Sequence, residues 1–261
     1  MAFALTDRTV LVTGASAGIG AAIARRCAEA GARLVLAARR PEPLAAFARE
    51  IADAHGDDRV HTITLDVRDE AAVAAALGAL PASFDAVDVA VLNAGLARGL
   101  DPIDRTPPGA VDEMIETNVT GVLSTVRAVV PGMRARGRGH LVFLGSVSGR
   151  EAYAGGAVYC ATKAAVAMLA EVARRDLHGT GLRVTHVAQG MVETDFSRVR
   201  FDGDEARAAA VYADTAPLTA DDVADVVVFA LTRPAHVNVS DVLLMPTAQA
   251  AAGMVHRTPA S

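Results

Sequence analysis

Seven short runs of apolar, largely β-branched residues recur along the chain: TVLVT (Thr9–Thr13), RLVLAA (Arg33–Ala38), HTITLD (His61–Asp66), VDVAVLN (Val87–Asn93), HLVFLGS (His140–Ser146), LRVTHVA (Leu182–Ala188) and DVLLMP (Asp241–Pro246). Hydrophobicity inside them is continuous rather than alternating, the pattern of a strand covered on both faces. Stretches of helical period separate them. This βαβα order predicts a Rossmann-type α/β fold, a doubly wound parallel seven-stranded sheet with helices on both faces.

Ligands of such sheets bind beyond the carboxyl ends of the strands. Polar or glycine landmarks stand at six of those ends: Gly14, Arg39, Asp66, Asn93, Ser146 and Gly190. Composition narrows the picture. The chain is 52% hydrophobic but only 4% aromatic, without Trp, so its core is built from Ala, Val, Leu and Ile. At 261 residues with no Pro/Ser/Gly spacer, one domain over 1–261 is expected. A net charge of −5 with interspersed arginines argues against a nucleic-acid surface. No apolar run reaches the ~20 residues of a membrane span, and the first strand begins too early for a signal peptide, so a cytoplasmic protein is expected. Cys27 and Cys160 lie inside predicted helices without metal-ligand spacing and read as small core residues, so no metal is expected.

Gly14, Gly18 and Gly20, with Ser16 and Ile19 in the same turn, lie between the first strand and a helix starting near Ile19. Such a turn lets backbone amides at a helix N-terminus approach a pyrophosphate. The second strand ends LAARR, with no carboxylate for a ribose hydroxyl. Arg39 and Arg40 instead offer a grip on the 2′-phosphate of NADP; the alternative is a solvated pair at a helix start. Asp66 and Val67 are candidates for adenine, and Asn93, Ala94 and Gly95 for ribose, though each also reads as a strand-end turn.

Tyr159 and Lys163 stand four residues apart in YCATK, on one face of a predicted helix. A cation ~4 Å from a phenol at an effective dielectric of ~20 is worth roughly 4 kcal/mol. Lys163 is therefore expected to pull Tyr159 down from its free pKa of ~10 and make it a proton donor and acceptor near neutrality.

TGASAGIG (Thr13–Gly20), NAG (Asn93–Gly95), Asn118 in NVTG, Ser146, and Tyr159 with Lys163 together resemble the short-chain dehydrogenase/reductase family, over the whole chain. The resemblance implies a tetrad. Tyr159 would be the acid/base, Lys163 would lower its pKa and bind the nicotinamide ribose, Ser146 would orient the carbonyl, and Asn118 would hold a relay water. NADP(H) would be the cofactor, with Gly190, Val192 and Thr194 in the loop that takes the nicotinamide carboxamide.

YAGGAVY, RRDLHGTGLRVT, FSRVRFDGD and PAHVNVSDVLLMPTAQ are similar to the NADP-dependent 3-hydroxy acid dehydrogenases and sulfoacetaldehyde reductases of that family. This likeness implies a short hydroxy acid or its semialdehyde as substrate. Ser146, Tyr153, Gly155 and Gly156 would shape the pocket, and Arg150 or Arg200 would meet the substrate anion, with Arg198 the weaker candidate. It also implies a homotetramer, packed through the Tyr159 helix, with the tail 250–261 reaching a neighbour. The polar, weakly periodic segment 192–215 fits a lid. Two departures stand out: Gln189 precedes Gly190 where the family carries proline, and Glu151 falls near the expected pocket, where it would repel an anion unless paired with Arg150. A reductase of neutral ketones or acyl thioesters and a non-catalytic NADPH sensor are the competing readings.

Overall fold

In the computed structural model, which describes residues 5–258, all seven predicted strands form, as β1 (Thr9–Thr13), β2 (Arg33–Ala38), β3 (Val60–Thr64), β4 (Val87–Leu92), β5 (Gly139–Leu144), β6 (Leu182–Gln189) and β7 (Asp241–Leu244). They make one sheet in the order β3-β2-β1-β4-β5-β6-β7, every neighbouring pair parallel. The winding reverses between β1 and β4. That reversal opens the crevice in which doubly wound sheets take their ligands.

Helices α1 (Gly18–Glu29) and α2 (Pro41–His55) cover one face, together with α9 (Ala220–Leu231) near the chain's end. The opposite face is covered by α3 (Glu70–Gly78), α5 (Gly121–Arg136) and α6 (Ala157–Asp176). Val10, Leu34, Val142 and Val187 point into the first core layer, and Leu11, Val35, Leu141 and Val184 into the second. Two cores on one sheet explain the unbroken hydrophobicity of β1, β4 and β5, whose residues are nearly all buried. Cys27 and Cys160 are both buried and free, and burial pushes the Cys27 thiol up to about 12.

Three local features are set by tertiary contacts. Asn118 lies in a π turn, Glu116–Thr120, between α4 (Pro108–Ile115) and α5. The segment 192–215 is ordered as two short helices, α7 (Phe196–Arg200) and α8 (Glu205–Tyr212). They are hinged at Asp202 and Gly203, which take φ of 52° and 91°. Their stability is tertiary: the Tyr212 hydroxyl donates to Val192 O at 3.1 Å and accepts from Ser197 at 2.8 Å. Finally, Gln249–Ala251 (β8) and Met254–Val255 (β9) form a hairpin. Beyond it the tail folds onto its own chain, where Arg257 donates to the carbonyls of Ala213 and Val211 and Thr258 N to Asp214 O. Residues 259–261 lie outside the described part.

Candidate active site

A cavity of about 970 Å³ runs along the carboxyl ends of β1, β2, β4, β5 and β6. The wall at the ends of β1, β2 and β3 carries Gly14, Ser16, Gly18, Ile19, Arg39, Arg40, Asp66 and Val67, and Asn93, Ala94 and Gly95 continue it. The tight turn after β1 explains the glycines. Gly14 has φ of 67°, and a Cβ there would meet Asn93 Nδ2 at 2.9 Å. Gly20 is outside the cavity wall, and its reason is packing: a Cβ would stand 2.4 Å from Gly14 O. Asn93 ties the two motifs together, its Nδ2 donating to the carbonyls of Thr13 at 2.9 Å and Gly14 at 3.2 Å.

At the end of β2, Arg39 is half exposed, with Glu113 Oε1 3.7 Å away, and Arg40 is exposed beside it. Asp66 is held by Arg68 through paired hydrogen bonds of 2.7–3.1 Å, which keeps its carboxyl below the usual range. Glu113 is shared. Arg98, which also lines the cavity, grips it at 2.7 and 3.1 Å and uses its remaining nitrogen on Val199 O at 2.7 Å and Asp202 Oδ1 at 2.8 Å. Gly99 N donates to Arg200 O at 2.8 Å, so the strand-end loop after β4 is stitched to α7.

The four tetrad candidates converge around one end of the cavity. Lys163 is buried, and its Nζ donates to Leu144 O at 2.9 Å and lies 5.9 Å from the Tyr159 ring centre. Burial brings the ammonium down to about 8. Ser146 accepts from Ser148 N at 3.1 Å. Asn118 spends both amide hydrogens, on Leu96 O at 2.8 Å and Thr162 Oγ1 at 3.0 Å, and accepts from Leu96 N at 2.8 Å. Its side chain thus fastens the strand-end loop. The electrostatics of Tyr159 differ from expectation: desolvation dominates and pushes the phenol up to about 12. The main opposing cation is Arg200, not Lys163.

Arg200 is the residue that the tertiary structure adds to this corner. Its guanidinium lies 5.1 Å from the Tyr159 ring centre and 4.9 Å from that of Phe196, and it donates to the Tyr153 hydroxyl at 2.9 Å. Its Nε is buried without a partner. Gly156 lets the Tyr153 ring lie against the chain, since a Cβ there would sit 2.5 Å from it, and Gly155, at φ 77°, passes Leu100 O as closely.

Arg150 belongs elsewhere. It is outside the cavity wall and pairs with Asp241 at 2.5 Å, the same carboxylate that holds His186 Nδ1 at 2.9 Å. Arg200 does not line the cavity either, but Arg150 is the one of the two whose charge is matched by a carboxylate. Glu151 does not pair with Arg150 but accepts from Ala252 N at 2.9 Å, which fixes the β8–β9 hairpin. Arg198 does line the cavity, paired with Asp195 at 3.1 Å. Arg98 was missed from the sequence, since a lone arginine after NAG has no local signature. Gly190, Val192 and Thr194 line the wall beyond β6 with Gln189.

The short chain dehydrogenase family profile matches residues 8–205. The chain is 45% identical over 251 residues to the NADP-dependent 3-hydroxy acid dehydrogenase of Salmonella typhi, covering 95% of this chain and 99% of that one. It is 46% identical over 242 residues to sulfoacetaldehyde reductase 2 of Chromohalobacter salexigens, covering 92% and 95%. Among solved structures, the closed form of serine dehydrogenase complexed with NADP+ superposes with a TM-score of 0.89 at 43% identity, over 96% of this chain and 100% of that one. Fold, cleft and sequence agree, and this chain belongs to the short chain dehydrogenase family.

Proposed function

We propose that this protein is an NADP-dependent oxidoreductase that interconverts a short 3-hydroxy acid, or a similar hydroxy anion, with the corresponding semialdehyde or ketone. The observation that carries the substrate class is Arg200, whose partly unpaired guanidinium stands over the Tyr159 ring at 5.1 Å. A forked cation beside the acid/base suits a substrate with an anionic group two or three bonds from the reacting carbon. The names of the relatives point to the same class.

The residues present fit the dinucleotide. The Gly14–Gly20 turn would hold the pyrophosphate, Arg39 and Arg40 would meet the 2′-phosphate of the adenosine ribose, and Lys163 with Tyr159 would hold the nicotinamide ribose. When bound, NADP(H) supplies or accepts the hydride. The protein handles the proton. The Tyr159 phenol, held protonated by burial, donates to the oxygen of the carbonyl being reduced, and in the reverse direction it takes that proton back. The Ser146 hydroxyl holds the same oxygen. Lys163, with a pKa of about 8, is mostly an ammonium at neutral pH and would offer a positive charge to the ribose hydroxyls.

The test is Arg200→Ala assayed on 3-hydroxypropionate and on a neutral secondary alcohol of similar size. The expected result is a KM at least about tenfold higher for the acid, the worth of a charged hydrogen bond, with the alcohol little changed. Equal effects on both would remove the anion anchor and leave a neutral ketone as substrate.

We also infer a homotetramer. Met168 and Val172 on α6 and Phe229 on α9 are 57%, 41% and 52% exposed, large apolar side chains on two helices that one subunit leaves uncovered. Sedimentation at micromolar concentration should give about four chain masses; a monomer would remove this claim.

A further inference from the structure

Ser146, Ser148, Tyr153 and Arg200 stand in a row at the catalytic corner, and of the four only Ser146 lines the cavity. Ser146 and Ser148 are both buried, with their hydroxyl oxygens 3.1 Å apart. The short turn Val147–Gly149 after β5 brings them together, since Ser146 caps it by accepting from Ser148 N at 3.1 Å. Ser148 is in turn hydrogen-bonded to the Tyr153 phenol, whose oxygen accepts from Arg200 Nη2 at 2.9 Å. At the other end Ser146 meets the Tyr159 phenol. The order of donors along this row is fixed at Arg200. A guanidinium only donates, so the Tyr153 oxygen accepts there. Its own hydrogen then goes to Ser148, the Ser148 hydrogen goes to Ser146, and the Ser146 hydrogen is left for a group in the cavity. In the reverse order Tyr153 would accept from both sides, and its hydrogen would meet no acceptor among the described residues. The competing acceptor for Ser146, Gln189 O, is more distant at 3.5 Å.

We propose that Ser148 is a positioning residue for the reaction, keeping the Ser146 hydroxyl turned into the cavity as a donor to the oxygen that changes between alcohol and carbonyl. This rests on the reading of Ser146 and Tyr159 given above. Ser148 does not line the cavity, so it acts through Ser146. Two observations separate this role from simple packing. Without the Ser148 hydroxyl, Ser146 keeps the backbone donor Ser148 N but is free to turn its own hydrogen aside to Gln189 O. The row also begins at a cation. Each hydroxyl that accepts a hydrogen bond becomes a better donor, so the Arg200 charge is felt at Ser146 although the guanidinium is outside the cavity wall. A donor strengthened in this way stabilises most the negative charge that develops on the reacting oxygen.

The experiment is steady-state oxidation of 3-hydroxypropionate and of 2-butanol with NADP+ by the wild type, Ser148→Ala, Ser146→Ala and the double variant. Ser148→Ala keeps the backbone N–H on Ser146 and is expected to lower kcat roughly three- to tenfold with both substrates alike, KM being unchanged. In the Ser146→Ala background the same change is expected to cost nothing further, as for residues that act in series. Ser148→Thr, which retains the hydroxyl, is expected to recover the wild-type kcat. Should Ser148→Ala not fold, Tyr153→Phe breaks the row at the next hydroxyl, and the same loss with 2-butanol is expected. An unchanged kcat in Ser148→Ala, or an equal loss in both backgrounds, overturns the proposal and leaves Ser148 a packing residue. A loss confined to KM for the acid would overturn it too, by placing Ser148 with the anion anchor. If 3-hydroxypropionate is not oxidised, the hydroxy-acid reading falls while the 2-butanol series still decides this role. If neither is oxidised, both fall.

Discussion

Tyr159 sits in a conflict between burial, which favours the neutral phenol, and nearby cations, of which Arg200 acts most strongly. Below a pKa of about 12 the phenolate fraction rises tenfold per pH unit. Alcohol oxidation, which needs the phenolate, should therefore gain rate steadily from pH 7 to 10, while carbonyl reduction, which needs the phenol, stays flat over the same range. Arg200→Met removes the main cation and should displace the oxidation profile to higher pH, as initial rates against pH would show. Tyr159→Phe should lower kcat by about 10²- to 10⁴-fold, the usual worth of acid/base catalysis, with NADP+ affinity by calorimetry retained. Arg39 makes a second residue-level prediction. A charged hydrogen bond is worth about 1.5–3 kcal/mol, so Arg39→Ala should reduce the NADP over NAD preference by roughly ten- to a hundredfold in kcat/KM. Tyr159 and Lys163 were legible in the sequence because a four-residue spacing on a helix is local geometry. The partner that most perturbs Tyr159 was not, because Arg200 arrives from a helix 41 positions further on.

At the scale of elements, the strands were legible to within two residues because burial on both faces forces continuous hydrophobicity. Helices α7 and α8 were not, since five and eight residues are too few for a period to declare itself and the helices persist through contacts with the rest of the molecule. Arg98 supplies the strongest of those contacts, joining Glu113 of α4 to Val199 and Asp202. Its side chain is 24% exposed, so water screens these bonds only in part. Arg98→Ala should raise amide hydrogen exchange across 196–212 about tenfold and raise substrate KM, with exchange in β1 and β4 unchanged. Uniform exchange in the two proteins would show that the two helices hold without this tie. Glu113 stands 3.7 Å from Arg39 as well, so the same carboxylate touches both the arginine at the end of β2 and the ordering of α7.

For the molecule as a whole, the sheet sandwiched between two cores determines how stability answers to acid. His140 is sealed in β5, with Nε2 2.8 Å from Thr185 Oγ1 and Nδ1 unpaired, and burial lowers its pKa to about 3. His186 is lowered too, by burial against its pairing with Asp241. Between pH 6.5 and 3 the unfolded chain binds a proton that folded His140 refuses, so stability falls as pH falls through that window. The slope is about 1.4 kcal/mol per pH unit for one such group. Urea unfolding at pH 6.5 and pH 5 should differ by on the order of 2 kcal/mol, and His140→Leu should flatten that difference.

The sequence by itself determined the layered α/β architecture, the strands, the glycine turn and the Tyr159–Lys163 pair. Each of these is written in spacings of a few residues, which backbone geometry converts directly into a face or a turn. Only the tertiary structure decided that Arg200 rather than Arg150 attends Tyr159, that Asn118 fastens Leu96, and that Arg98 ties α4 to α7. Those pairings join residues 15 to 104 positions apart. Charges at such separations are assigned by the fold that brings strand ends together, and no local pattern encodes which of several arginines will find its carboxylate on the way.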